Sequence, residues 1–131
     1  MRFAFAFVLM SVPVSARAEE PTLDNVPPVV TKSVPEAGAK DIDPKLTELR
    51  VTFSKDMKDQ TWSWSTVTED SFPTVDGKPK YLADGRTCVL PVKLEAGKTY
   101  AVWVNSDKFG SFRDTDGRKA VPYLLVFATK K

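Results

Sequence analysis

Thr99-Tyr100-Ala101-Val102-Trp103-Val104-Asn105 is the stretch on which the fold turns. Tyr100, Val102 and Val104 alternate with Ala101 and Trp103, and a period of two describes a strand with one face on a core, not a helix. The alternation assigns Tyr100, Val102 and Val104 to the interior and leaves Trp103 on the other side. Leu49-Arg50-Val51-Thr52-Phe53 repeats the pattern, with the odd positions as the buried set. Tyr123-Leu124-Leu125-Val126-Phe127-Ala128-Thr129 is apolar on both faces. Such a strand is either central and covered twice, or it carries an exposed face with a task.

Working outward, strand-like runs recur between turn signals, and no stretch beyond residue 28 sustains apolar spacing at i, i+3, i+4 and i+7. The runs are Val29 to Val34, Leu46 to Phe53, Trp62 to Val67, Lys80 to Leu82, Thr87 to Leu94, Thr99 to Asn105 and Tyr123 to Thr129. Asp76-Gly77, Asp84-Gly85 and Asp116-Gly117 sit between runs, where glycine supplies the positive φ of a reversal. The expectation is an all-β chain of about seven strands, the number found in an Ig-like antiparallel β-sandwich.

At the N-terminus, Arg2 precedes an apolar run from Phe3 to Val14, shorter than the roughly 20 residues of a membrane span. Ser15-Ala16-Arg17-Ala18 follows, with the small-x-small spacing of a signal peptidase site. Residues 1–18 read as a signal peptide and 19–27, with prolines and little periodicity, as an extended lead-in. Residues 28–131 are then the domain.

Composition narrows the function. The 131 residues, 42% hydrophobic and 27% charged, suit one domain with a core. Histidine is absent and cysteine occurs once, which removes imidazole catalysis, disulfide frameworks and multi-cysteine zinc sites. Losing residues 1–18 also removes Arg2 and Arg17, leaving 17 basic against 17 acidic residues. A neutral chain offers no global attraction to nucleic acid or to an anionic membrane. The product is expected to be secreted or periplasmic, monomeric, and without stable membrane insertion once the signal is gone.

Several motifs occur in a familiar order. Ser33-Val34-Pro35-Glu36-Ala37-Gly38 is followed by Val51-Thr52-Phe53-Ser54-Lys55-Asp56-Met57, then by Leu94-Glu95-Ala96-Gly97-Lys98-Thr99-Tyr100. Asp114-Thr115-Asp116-Gly117 comes next, before Val126-Phe127-Ala128-Thr129. From Pro27 to Lys130 the chain resembles the bacterial Ig-like domain of the SbsA type. The resemblance implies a non-catalytic spacer or interaction module, of the kind found in surface-layer proteins, adhesins and exported enzymes. One copy alone leaves nothing to space, which favours interaction over spacing. Tyr100, directly after the Gly-Lys-Thr turn, is similar to a tyrosine corner, and Phe53, Met57 and Phe127 fit a sandwich core.

Three constellations could carry chemistry. Cys88 alternates with Leu90 and Val92 and reads as a small buried apolar group, with an intermolecular disulfide as the alternative. Asp107, Asp114 and Asp116 lie in the long connection from Ser106 to Ala120, where carboxylates beside a glycine turn suit calcium. An EF-hand fails, since position 12 counted from Asp114 is Leu125, and the competing reading is a turn in which aspartates cap amides. Glycoside hydrolysis would need opposed acids across a cleft, which one small sandwich rarely supplies.

The aromatics give the third. Trp62 and Trp64 share one face of a strand, while Phe109, Phe112 and Arg113 lie in the long connection. If Trp103, Leu124 and Val126 face outward with the two tryptophans beside them, they form an apolar platform for an envelope or extracellular protein, or for a glycan ring. If Trp62 and Trp64 point inward, as a tryptophan on the third strand of such a sandwich ordinarily does, the platform is smaller. The sequence thus describes an exported binding module with no catalytic residues. Carbohydrate or peptidoglycan binding is its first alternative, and calcium, the one cofactor with a partial ligand set, is the second.

Overall fold

A computed structural model describes residues 20–131, so the expected signal peptide lies outside the described residues. Strands β1 (Val30–Val34), β2 (Glu48–Phe53), β3 (Trp64–Thr66), β4 (Thr74–Val75), β5 (Lys80–Tyr81), β6 (Thr87–Lys93), β7 (Thr99–Val104) and β8 (Tyr123–Ala128) form two antiparallel sheets. The first runs β1-β2-β6, with β4 and β5 both paired to β6. The second is β3-β7-β8. Strands from the third, sixth and seventh expected runs therefore share one sheet, as an Ig-like sandwich requires.

There are eight strands among the described residues, not seven. The extra one, β4, is two residues long and pairs only with Val92 and Lys93, so it is too short to show an alternation. Asp76-Gly77-Lys78-Pro79 separates β4 from β5, and Gly77 packs so closely on Pro91 that a Cβ there would lie 3.3 Å from the ring. Such a broken edge blunts further strand pairing.

Alternation places the core as expected. Leu49, Val51 and Phe53 from β2, Leu90 and Val92 from β6, Tyr100, Val102 and Val104 from β7, and Leu125 and Phe127 from β8 are all buried. Side chains of this size contribute about 1.5–3 kcal/mol each when fully buried. Tyr100 and Phe127 stack at 5.4 Å, and the Glu95 amide donates to the Tyr100 hydroxyl at 2.7 Å, which makes the tyrosine corner. Met57 closes the other end beside Phe53.

The lead-in is not simply extended. Thr22 and Asn25 exchange side-chain to backbone hydrogen bonds that close a turn, and Val121 N–H donates to the Pro28 carbonyl at 3.0 Å. Lys55 Nζ then donates to the carbonyls of Asp24 and Val26. Residues 20–28 are thereby tied to the sandwich through backbone groups, which residue type does not announce.

Candidate functional site

Register decides which side chains face away from the core in the β3-β7-β8 sheet. Trp103 pairs with Ser65 on one side and Leu124 on the other, and Ala101 pairs with Val126. Their neighbours Val102, Val104, Leu125 and Phe127 are buried, so Ser65, Ala101, Trp103, Leu124 and Val126 occupy the opposite face. None of these is charged. The outer face of the other sheet carries Lys32, Glu48, Arg50 and Lys80 at the corresponding positions, with Arg50 and Glu48 ion-paired. In a chain that is 27% charged, the contrast sets the β3-β7-β8 face apart.

At one end of this face the connection from Ser106 onward presents Phe109, which is 55% exposed. Its backbone is held at three points. Ser106 N–H donates to the Phe109 carbonyl at 2.8 Å, Phe109 N–H donates to Ser106 Oγ at 3.0 Å, and Ser63 Oγ donates to the same carbonyl at 3.1 Å. Between this turn and the sheet lies a depression of about 290 Å³, lined by Trp103, Phe109 and Pro122 with Thr66, Asp107 and Lys108. Lys108 Nζ sits 5.7 Å from the centre of the Phe109 ring.

Asn105 organises the rest of the connection. It is buried with φ of +55°, a left-handed conformation that asparagine tolerates better than most residues. Its Nδ2 donates to the carbonyls of Phe112 and Ala120, each at 3.0 Å, and its Oδ1 accepts the Phe112 amide at 2.9 Å. Both limbs of the connection are pinned by one amide.

That pinning turns Phe112 inward. It is fully buried, 5.1 Å from the Phe53 ring and edge-on to Trp64 at 5.6 Å, so it is core and not part of a contact surface. Trp64 opposes the buried Val104, and Trp62 packs against Tyr81 at 6.4 Å. The wider platform that would have joined both to Trp103 is not formed, because β3 turns them to the side of the sheet opposite Trp103. The Trp64 indole N–H is buried with no oxygen or nitrogen partner among the described residues and has the Cys88 thiol as its neighbour. Arg113 is exposed, but its backbone bridges to Lys119 and it does not line the depression.

The three aspartates are not brought together, and the described residues contain no group of three or more His, Cys, Asp or Glu that could hold a metal ion. Asp107 lines the depression, and Asp116 pairs with Arg118 at 3.1 Å. Asp114 is buried. Its Oδ1 accepts the amides of Asp116 and Arg118 at 3.0 and 2.8 Å, the amide-capping turn weighed from the sequence, and its Oδ2 accepts Lys55 Nζ at 2.7 Å. The oxygens expected to suit calcium hold an ammonium instead. Burial pushes the Asp114 carboxyl up, but the Lys55 hydrogen bond, the Arg118 amide, the Lys55 charge and the Asp116 amide together hold it below the usual carboxylate range. Lys55 was missed from the sequence, since nothing in Ser54-Lys55-Asp56 points 59 residues ahead.

Cys88 has no exposed surface, and burial pushes its thiol up to about 12, with the Trp64 indole and its own strand's backbone partly offsetting the effect. A thiol so placed is neither nucleophilic nor within reach of another chain.

Comparison with known proteins bears on the architecture. The family described as bacterial Ig-like domain matches residues 24–129. Two solved structures of a surface-layer protein are similar, each at 22% identity. The crystal structure of the S-layer protein rSbsC(31-844) has a TM-score of 0.44 over 81% of this chain, and that of SbsC domains 1-6 has 0.46 over 82%. In both cases the chain spans 14% of the length of the larger protein. No curated protein matches.

Proposed function

The chain belongs to the bacterial Ig-like domain family, and from that premise we propose that it is a non-catalytic binding module of the bacterial envelope or extracellular space, working through the outer face of β3-β7-β8. The observation that carries this reading is the absence of charge across Ser65, Ala101, Trp103, Leu124 and Val126, set against the charged outer face of the other sheet. An uncharged apolar face left open to water is unfavourable, and monomeric proteins seldom keep one without a contact to make. Trp103 is the anchor, because a half-buried indole offers a large contact area while losing little conformational freedom on binding.

Acrylamide quenching of tryptophan fluorescence tests the reading. Trp103 supplies a component accessible on the outer face, so Trp103→Phe removes that component and leaves the signals of Trp62 and Trp64, which pack against Tyr81 and Phe112. Bacterial envelope extract protects Trp103, and Leu124→Lys, an exposed change that leaves the melting temperature in place, abolishes that protection. Equal shielding of all three tryptophans in the free protein, or full protection of the Leu124→Lys variant, overturns the proposal.

A further inference from the structure

We propose that the depression between Trp103 and Phe109 takes one pyranose ring of an uncharged saccharide chain, a reading that rests on the binding face proposed above and names its ligand class. Four observations converge on it. Phe109 is an aromatic side chain kept in water by a turn whose backbone is fixed at three hydrogen bonds, so its exposure is built in and does not result from a loose loop. Trp103 lines the same depression from the sheet, which gives the site a second ring. The axial C–H bonds of a pyranose make a shallow apolar face that such rings can cover.

A polar group supplies the third observation. The Asp107 carboxylate has no hydrogen-bond or ion-pair partner among the described residues, so it is available to a ligand. A carboxylate accepts two hydroxyl protons at once, which matches a vicinal diol. The fourth is charge. Asp107 and Lys108 contribute one unit of each sign at the rim, so the site favours neither a polyanion nor a polycation. A neutral ligand rich in hydroxyls complements it. The volume of about 290 Å³ lies at the lower end of small-molecule sites, which suits one ring with its neighbours extending along the sheet towards Leu124.

The test titrates the protein with cellotetraose and, separately, chitotetraose, following tryptophan fluorescence and heat of binding. At least one should give a saturable change, absent in Trp103→Ala and weakened about tenfold or more in Asp107→Ala, the loss expected when a charged hydrogen-bond partner is removed. Both substituted positions lie at the surface of the site, and unchanged melting curves verify that the variants fold. No saturable change with either sugar up to about 10 mM, the weak end of useful affinity, overturns the proposal. So does binding that Asp107→Ala and Trp103→Ala leave intact. If the sugars fail while Leu124→Lys still abolishes protection by envelope extract, the face keeps its role and its ligand is a protein. If the sugars bind through Asp107 while Leu124→Lys changes nothing in extract, the depression stands and the wider face does not.

Discussion

Replacing Asn105 by alanine should loosen the connection between β7 and β8 and remove a large share of the domain's stability. The substitution strips three hydrogen bonds, two given to the carbonyls of Phe112 and Ala120 and one received from the Phe112 amide. It leaves those backbone groups beside a side chain that is 1% exposed. Each unsatisfied buried group costs about 1–3 kcal/mol, though water entering the gap recovers part of it. The backbone φ of +55° adds a further cost for alanine, about 1 kcal/mol. Together these give a loss of about 3–5 kcal/mol, a large part of the 5–15 kcal/mol that typically holds a domain. Urea denaturation followed by tryptophan fluorescence measures it. Asn105→Gly separates the two causes, since glycine accepts the positive φ and should recover about 1 kcal/mol without restoring a hydrogen bond. The reasoning fails if Asn105→Ala unfolds within about 1 kcal/mol of the parent, because then the amide does not hold the connection.

The Lys55 to Asp114 pair makes stability depend on acidity. Because the folded carboxyl is held below its ordinary value of 3.8, its contribution is complete above that value and drains as the pH falls through the lower folded one. Asp114→Asn should therefore cost about 3 kcal/mol at pH 7, and its melting temperature should approach that of the parent only below about pH 4; a gap that stays constant with pH would refute the ionic account. Cys88 should react with a thiol reagent such as DTNB only at the rate of global unfolding, in urea and in buffer alike. Fast labelling of the native protein would show that the strand opens locally and that the burial of the thiol is not maintained.

Much of the fold was legible because a strand writes its burial locally. Leu49, Val51 and Phe53, or Tyr100, Val102 and Val104, declare their face within five residues, and Trp103 is placed outside by the same count. The tyrosine corner was legible too, since Gly97, Lys98 and Thr99 turn the chain just before Tyr100. Phe112 and Asp114 were not. They also alternate with exposed neighbours, Ser111, Arg113 and Thr115, but the run is too short to separate from a loop, and their inward turn depends on Asn105 behind them and Lys55 from another part of the chain. Trp62 and Trp64 were readable as a pair sharing one face, but which face required the register with β7.

The same division explains where binding chemistry sits in this sandwich. Trp103, whose orientation is local, and Leu124 and Val126, placed by the register of β8 on β7, form the flat part of the candidate face, and they owe their exposure to the core positions that alternate with them. Residues placed by long-range ties, Phe109 through Ser63 and the connection through Asn105, shape the depression at its end. Changing a turn residue alters the depression without moving the sheet, whereas slipping β8 by one residue would exchange its buried and exposed faces and dismantle the core. The ligand specificity of such a domain therefore has most freedom to vary in the connection from Ser106 to Ala120, provided Asn105 remains to hold it.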